Sequence, residues 1–566
     1  MLQLNKFSMA DKEIYTPSNL FSGINFGLDT ETTVIRERER EGVKLKEIYF
    51  SAREVGGKRP RGYGLLAQNG PSCSLLVIIG DLAHGIEEDL MLSFARRGYS
   101  VLMFDYTGEE KGKAKYTFYP QEIEYANLAK AGKHLSCAEP DARATCYYEW
   151  TALSHFALSS ALSLLPENVK VGLLGVGRGA NIVWMQASFD DRVSACCTVF
   201  SAGWDAYRNK HKYGDDDTLG ELDEERERWL AAISAEAYAK FVEAPMLYVT
   251  GSNSALTGMD RAFDTMARLP HPETALCCVV PRLAEHIGEA GRKNIELFFD
   301  KFLKGKDIEL PKRPQAAVSA SDGKISMTVT CQKEDIHGVE VYISEGQLNP
   351  AARNWVGYKA EPEGEGFAAR HEVTVSEGKL FAYANVRYKS GFTLSTKLLA
   401  ADVRELGLQV PPFRRLPIIY DSDMGRDTFT IFSPKAPSLR EVMFSDFEIE
   451  LKKGPGDILG VGCNIFRIAT YKVGDRRFAA QGEESFKFDV YSPSEQELLV
   501  YAYDLQEGHY HMCKVKLLGG GIWHPVEVNL QSLKSADGKS LKSWEGVSMI
   551  GFAAEAEFYL NNMLWI

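Results

Sequence analysis

Few residues that would announce a cofactor or a compartment occur in this chain. Cysteine is scarce, with ten in 566 residues, and no two stand as C-x-x-C, which disfavours a structural zinc site and a thioredoxin-type redox motif. Four of the ten form adjacent pairs, Cys196-Cys197 and Cys277-Cys278, inside apolar strand-like runs, where thiols read as buried and reduced. No stretch approaches the roughly 18 apolar residues that span a bilayer. The N-terminal MLQLNKFSMADKEIYTPSNLF has no charged-then-apolar leader pattern, so the expectation is a cytoplasmic protein with no membrane partner. Positive charge is in deficit, 65 Lys and Arg against 77 Asp and Glu for a net charge of -12. The basic residues are dispersed among acidic ones, and nucleic acid is not expected as a partner. Internal repeats and low-complexity tracts are missing too, and RERERE at Arg36 to Glu41 reads as a solvated face.

What is present is material for several packed cores: 45% of residues are apolar and 25% charged, a length and balance suited to roughly three or four domains. From residue 70 onward short apolar runs alternate with amphipathic stretches: SLLVIIG, a helix around Glu87 to Arg97, YSVLMFDY, then a long excursion to about Tyr147. There follow a helix to about Leu165, VKVGLLGV, a helix from Gly179, RVSACCTVF, APMLYVTGS, a helix through Met266, TALCCVV and the closing NIELFFDKFLKG. This spacing predicts a mostly parallel sheet flanked by helices over residues 1–308. The prolines of KDIELPKRPQ end that pattern. Residues 309–404 hold about seven short strands, which suit an immunoglobulin-like or fibronectin-III-like sandwich. A second proline-rich junction, LQVPPFRRLP, introduces residues 405–566, read as a larger sandwich or jelly roll.

The most informative local sequence is VKVGLLGVGRGANIVWM, a strand, a tight glycine-rich turn and a helix. It has the form G-x-(nucleophile)-x-G, in which the flanking glycines let strand and helix approach and the central residue projects a strained, exposed side chain. Gly175 and Gly179 flank, and the centre is Gly177, which has nothing to project. Read otherwise, GVGRGA is a G-x-G-x-G loop cradling an anion at a helix start. No acidic residue ends the next strand where a dinucleotide site wants one, so a degenerate elbow is preferred.

On these segments the chain from 45 to 308 resembles the α/β-hydrolase superfamily, and more narrowly bacterial acetyl-xylan-esterase and dienelactone-hydrolase proteins. RRGYSVLMFDYTGE is similar to the family's third-strand region, YEWTALSHFALSSALSLLPENVKVGLLGV to its helix-to-elbow segment, and FFDKFLKG to its final helix. The resemblance implies an acid in a T-G-x-N-D turn, which TGSNSALTGMD matches with Ser254 at the acid position, and a base before the last helix, which PRLAEHIGEAG supplies as His286. Asp205, in FSAGWDAY, is an alternative acid. The oxyanion-hole region falls in GDLAHG, at Gly80 to Gly85, with Arg178 following the elbow. His84 there either lines the cleft or is a surface-loop histidine.

The C-terminal strands, ending in GVSMIGFAAEAEFYLNNMLWI, are similar to those of galactose-binding-like sandwiches, with Trp544, Asn561, Asn562 and Trp565 at the matching positions. Trp544 and Trp565 are candidate sugar-stacking residues, although a Trp at a sandwich end is more often core, and that reading is preferred. His509, His511 and Cys513 alternate on one strand face, a pattern compatible with a metal, but no fourth ligand is evident and none is expected. RNW at Arg353 to Trp355 and YANV at Tyr383 to Val386 resemble strand motifs of a spacer domain.

Without a nucleophilic oxygen at residue 177 no acyl-enzyme forms there. The leading expectation is a catalytically degenerate hydrolase-like protein that needs no cofactor and binds a small-molecule, carbohydrate or acyl ligand. The alternatives are a carbohydrate-ester hydrolase using another nucleophile or a water activated by His286, and a structural protein, such as a homo-oligomer, in which the cleft is filled by side chains.

Overall fold

The computed structural model describes residues 14–566 apart from 72–73, 208–210, 215–222, 322, 333–335, 409 and 411–414. Its first half is built on one nine-stranded sheet. The strands are β1 (Thr33–Arg40), β2 (Val43–Ser51), β3 (Arg61–Gln68), β4 (Ser74–Ile79), β5 (Ser100–Asp105), β6 (Lys170–Val176), β7 (Val193–Val199), β8 (Met246–Gly251) and β9 (Leu276–Val280). The helices are α1 (Glu88–Ala95), α2 (Cys146–Ser163), α3 (Arg178–Ala187), α4 (Glu224–Ala232), α5 (Ala235–Tyr238), α6 (Met259–Met266) and α7 (Gly288–Phe302). Across the sheet the order is β1-β2-β3-β5-β4-β6-β7-β8-β9. The first three strands are antiparallel to their neighbours and the remainder run parallel. This crossed order, with the antiparallel strands at one edge, is the α/β-hydrolase sheet.

The parallel strands are apolar without alternation, as in SLLVII of β4 and LCCVV of β9, whose residues are all buried, because each face carries a helical layer. Leu76 and Ile78 join the core that includes α1 and α7, whereas Leu75, Val77 and Ile79 join the one that includes α2 and α3. The long excursion before α2 is a run of short 3-10 turns rather than a helix. The cysteine pairs lie in β7 and β9, free and buried, and burial raises all four thiols, Cys277 to about 12. Since the thiolate is the reactive form, these four should resist iodoacetamide at pH 8 in the native protein and react only under denaturant. Rapid native alkylation, located by peptide mass, would contradict that burial.

Both sheet edges are managed. The Arg36 to Arg40 stretch occupies edge strand β1, and its arginines pair outward, Arg40 with Asp89 at 2.7 Å and Arg38 with Glu88; a charged edge resists pairing with another chain. The β9 edge is covered by the middle β region, where the Val279 N–H donates to Ser395 Oγ (2.7 Å) and the Val279 carbonyl accepts from Asn385 Nδ2 (2.9 Å). Asn253 Nδ2 donates to the Arg353 carbonyl at 2.9 Å, and Arg353 pairs with Asp260. The RNW and YANV stretches are thus docking surfaces.

Past α7 the described residues contain β structure almost alone. Antiparallel sheets of four and five strands lie between Gln315 and Asp402, and sheets of six and five strands between Ile418 and Trp565, forming β-sandwiches. One short helix, α8 (Leu439–Phe444), interrupts the second sandwich. It sits on the hydrolase-like half: the Leu439 and Arg440 amides donate to the Glu87 carboxylate at 2.7 and 3.1 Å, and the Ile287 amide donates to the Val442 carbonyl at 3.1 Å. The C-terminal sandwich thereby roofs the end of the sheet where β4 and β6 terminate.

Candidate functional site

The turn between β6 and α3 keeps the backbone of a nucleophile elbow. Gly177 has φ 57° and ψ -123°, a region costly for any side chain and tolerated at active sites where the surroundings enforce it. Gly179 is required by proximity, since a Cβ there would lie 2.3 Å from the Ile79 carbonyl oxygen. At Gly177 a Cβ would meet the Asp81 side chain, 2.6 Å from Cγ. The room that a side chain at residue 177 would need is therefore taken by a carboxylate from the loop after β4. Asp81 Oδ1 accepts the Arg178 N–H at 2.7 Å, the amide following the elbow, which in this fold helps to stabilise an oxyanion. Gly177 offers no side chain at this turn, and the amide that follows it already donates to a carboxylate.

His286 is 1% exposed. Its Nε2 lies 2.9 Å from Ser433 Oγ and its Nδ1 3.2 Å from the Glu441 carbonyl oxygen, both in the C-terminal sandwich. Burial pulls its pKa below the ordinary imidazole value, with the Arg467 charge acting in the same direction. The expected acid positions do not serve it. Ser254 is buried, and its Oγ accepts the Leu256 amide at 3.4 Å. Asp205 forms an ion pair with the Arg178 guanidinium, which corrects its reading as an alternative acid for His286. Gly80 contributes a carbonyl, which accepts the Tyr106 hydroxyl at 2.6 Å.

Three cavities adjoin here. One of about 370 Å³ is lined by Gly177, Asp81, His84, Ser254 and Glu285 from below and by Ser433, Tyr471, Tyr503, Tyr510 and Met549 from the roof. A second, about 590 Å³, contains Asp81, Arg178, Asp205, Tyr147 and Trp229, and a third, about 520 Å³, contains Asp205, Ser254, Trp204 and Tyr503. Leu256 borders all three. Gly177, Ser254 and His84 are thus brought to one wall; Arg178 and Asp205 share the neighbouring one; His286 stands behind Ser433, and Glu285 takes the lining position. Of the two readings of His84, the cleft-lining one agrees with this geometry, and its Nε2 is 2.7 Å from the Pro437 carbonyl. Glu285 is exposed toward the cavity, and desolvation by the surrounding protein pushes its carboxyl up to about 7.

The sugar-stacking expectation for Trp544 and Trp565 is corrected. Their indoles are 5% and 4% exposed and meet edge-on at 4.9 Å. Each N–H donates to a backbone carbonyl at 2.6 Å, Glu484 for Trp544 and Phe478 for Trp565, as core aromatics do. Exposed ring surface lies instead in the cavity roof, where Tyr503 and Tyr510 are cross-strand partners with centroids 4.9 Å apart. Among the described residues, the groups with ligand atoms close enough for a metal are Glu507, His509 and His511, mutually within 4.8 Å, and Cys513 is not among them.

Sequence reasoning missed Asp81, Glu285, Ser433 and the roof tyrosines. Asp81 had a signal, an acidic residue directly after β4 in the oxyanion-loop stretch. The others had none, because their importance depends on how a remote sandwich docks.

Strand order defines an α/β-hydrolase fold, and at the turn between β6 and α3 the Asp81 carboxylate fills the space beside Gly177. No family model and no curated protein matches the chain. Among solved structures it is similar to acetyl xylan esterase 1 from Thermoanaerobacterium sp. JW/SL YS485, at 14% identity and TM-score 0.39 over 50% of this chain and 92% of that one. An acetyl xylan esterase from Paenibacillus sp. R4 gives 14% identity and TM-score 0.37 over 51% and 92%. A glucuronoyl esterase from Caldicellulosiruptor kristjansonii gives 13% and 0.33 over 49% and 80%.

Proposed function

We propose that this protein is a hydrolase-fold binding protein whose elbow is retired from serine catalysis and whose roofed cavity holds a carbohydrate or acyl ligand. The observation that carries the reading is the Asp81 carboxylate, which fills the nucleophile's space and accepts the Arg178 amide. An elbow in that state has neither a nucleophile nor a free donor at this amide for the charge that acyl transfer develops. The adjoining cavity is open rather than filled, which argues against a purely structural role. Its size falls within the range of small-molecule sites, and it combines tyrosine faces with Glu285, His84 and Lys435 as polar anchors. Rings beside a few polar groups suit a pyranose or a short acyl ester.

Direct attack by a His286-activated water on a bound ester finds no support while Ser433 is unmodified, since both ring nitrogens are then engaged within the protein. The test is calorimetric titration with short acetylated oligosaccharides and their deacetylated counterparts. Binding is expected, and Tyr503→Ala should weaken it about 10-fold, the loss of one aromatic contact worth about 1.4 kcal/mol. Binding that is absent, or indifferent to Tyr503→Ala, would overturn the ligand reading.

A further inference from the structure

The cavity that lost its nucleophile at residue 177 has a second hydroxyl on its opposite wall, delivered by the C-terminal sandwich. Ser433 follows the strand Phe429–Thr430 and begins the Ser-Pro-Lys-Ala-Pro stretch that lines the cavity. Its Oγ is 2.9 Å from His286 Nε2. On the far side of the ring, Nδ1 is 3.2 Å from the Glu441 carbonyl oxygen. That oxygen only accepts, so Nδ1 carries the ring hydrogen. In the neutral imidazole Nε2 is then an acceptor, and the Ser433 hydroxyl donates to it. A serine hydroxyl donating to one ring nitrogen, with the other fixed by an acceptor, is the arrangement that activates serine for acyl transfer. Here a backbone carbonyl does the orienting work of a carboxylate.

We propose that Ser433 and His286 form a relocated nucleophile–base pair able to take an acyl group from an ester bound in the cavity; this rests on reading the cavity as a ligand site. The Ser433 Oγ attacks the ester carbonyl carbon as its proton passes to His286 Nε2. The tetrahedral adduct collapses with cleavage of the carbon–alkoxide bond, and the imidazolium returns the proton to the departing alcohol. A water then loses a proton to Nε2 and attacks the acyl-Ser433 carbonyl, the bond to Oγ breaks, and the proton returns to Oγ as the acid leaves. The Arg467 guanidinium, with Nη1 at 3.5 Å from Ser433 Oγ, places a fixed positive charge near the reacting centre; the negative charge itself develops on the former carbonyl oxygen of the adduct. Burial and that same charge favour the neutral ring, the form a base must have.

The experiment treats the full chain with a small fluorophosphonate, which carries no sugar, and maps the modified residue by peptide mass spectrometry. Labelling is expected at Ser433, absent in Ser433→Ala and slowed at least about 100-fold in His286→Gln, the usual reach of general-base assistance. Should Ser433→Ala fail to fold, Ser433→Cys serves instead: position 433 is 3% exposed but lines the cavity, so its thiol, paired with the imidazole, should be alkylated by iodoacetamide well ahead of the cysteines inside β7 and β9, and the added His286→Gln should abolish that advantage. No label at Ser433, or labelling equal with and without His286, would overturn the proposal. Labelling that persists while oligosaccharide binding is absent would overturn the carbohydrate reading and leave the pair standing.

Discussion

Replacing Arg353 with methionine is expected to destabilise the protein by about 3–5 kcal/mol, the cost of leaving one partner of a buried ion pair alone. Arg353 is fully buried and Asp260, at the start of α6, is 4% exposed. The guanidinium meets the carboxylate with both terminal nitrogens, one at 2.7 Å. Two further donors are also used: Nε donates to the Gln347 carbonyl and Nη2 to the Leu348 carbonyl, each at 3.0 Å, and the guanidinium carbon lies 3.5 Å from the Phe381 ring centroid. Asp260 would keep its burial without this partner. Arg353→Lys should also be costly, because a single ammonium cannot reproduce the fork that reaches two oxygens and two carbonyls. The companion Arg353→Met, Asp260→Leu should recover most of the loss, since apolar replacement of a whole buried pair is often close to neutral. Urea unfolding midpoints check all three. A cost below about 1 kcal/mol for the single change would mean that the pair is not what locks the middle sandwich to the hydrolase-like half.

This lock also shows what the sequence could and could not reveal. The α/β half was legible because its strands are short apolar runs separated by amphipathic helices, a local signal that β4, β6, α3 and α7 each carry. The elbow was legible for the same reason, since Gly175, Gly177 and Gly179 impose their geometry within five residues. Arg353 drew notice as part of a strand motif, yet its partner lies 93 positions away, a separation at which neither periodicity nor turn chemistry speaks. His286 precedes α7, where the resemblance expects a base. Its ring partners, however, are Ser433 and Glu441, supplied by a sandwich whose docking angle no local pattern encodes. For the two tryptophans the preferred core reading agrees with the packing and the sugar-stacking one does not: an aromatic near a sandwich end has one sequence appearance whether it is open or buried, and only packing distinguishes the cases.

The elbow makes a second prediction in which two substitutions depend on one another. Gly177→Ser should cost about 2–5 kcal/mol of stability, combining the strain of a side chain at φ 57° with overpacking against Asp81. In an Asp81→Ala background the clash disappears and only backbone strain of about 1–3 kcal/mol should remain. The cycle should therefore show a coupling of at least about 1 kcal/mol, well above the few tenths expected of independent sites. Neither Gly177→Ser alone nor the double change is expected to raise aryl acetate hydrolysis above that of the unmodified chain, because the imidazole of His286 is committed to Ser433 and Glu441. Additive costs would show that Asp81 does not occupy the nucleophile's space. New turnover in Gly177→Ser alone would show that the Arg178 amide exchanges its internal carboxylate for a substrate oxyanion, and the elbow would then be suppressed rather than retired.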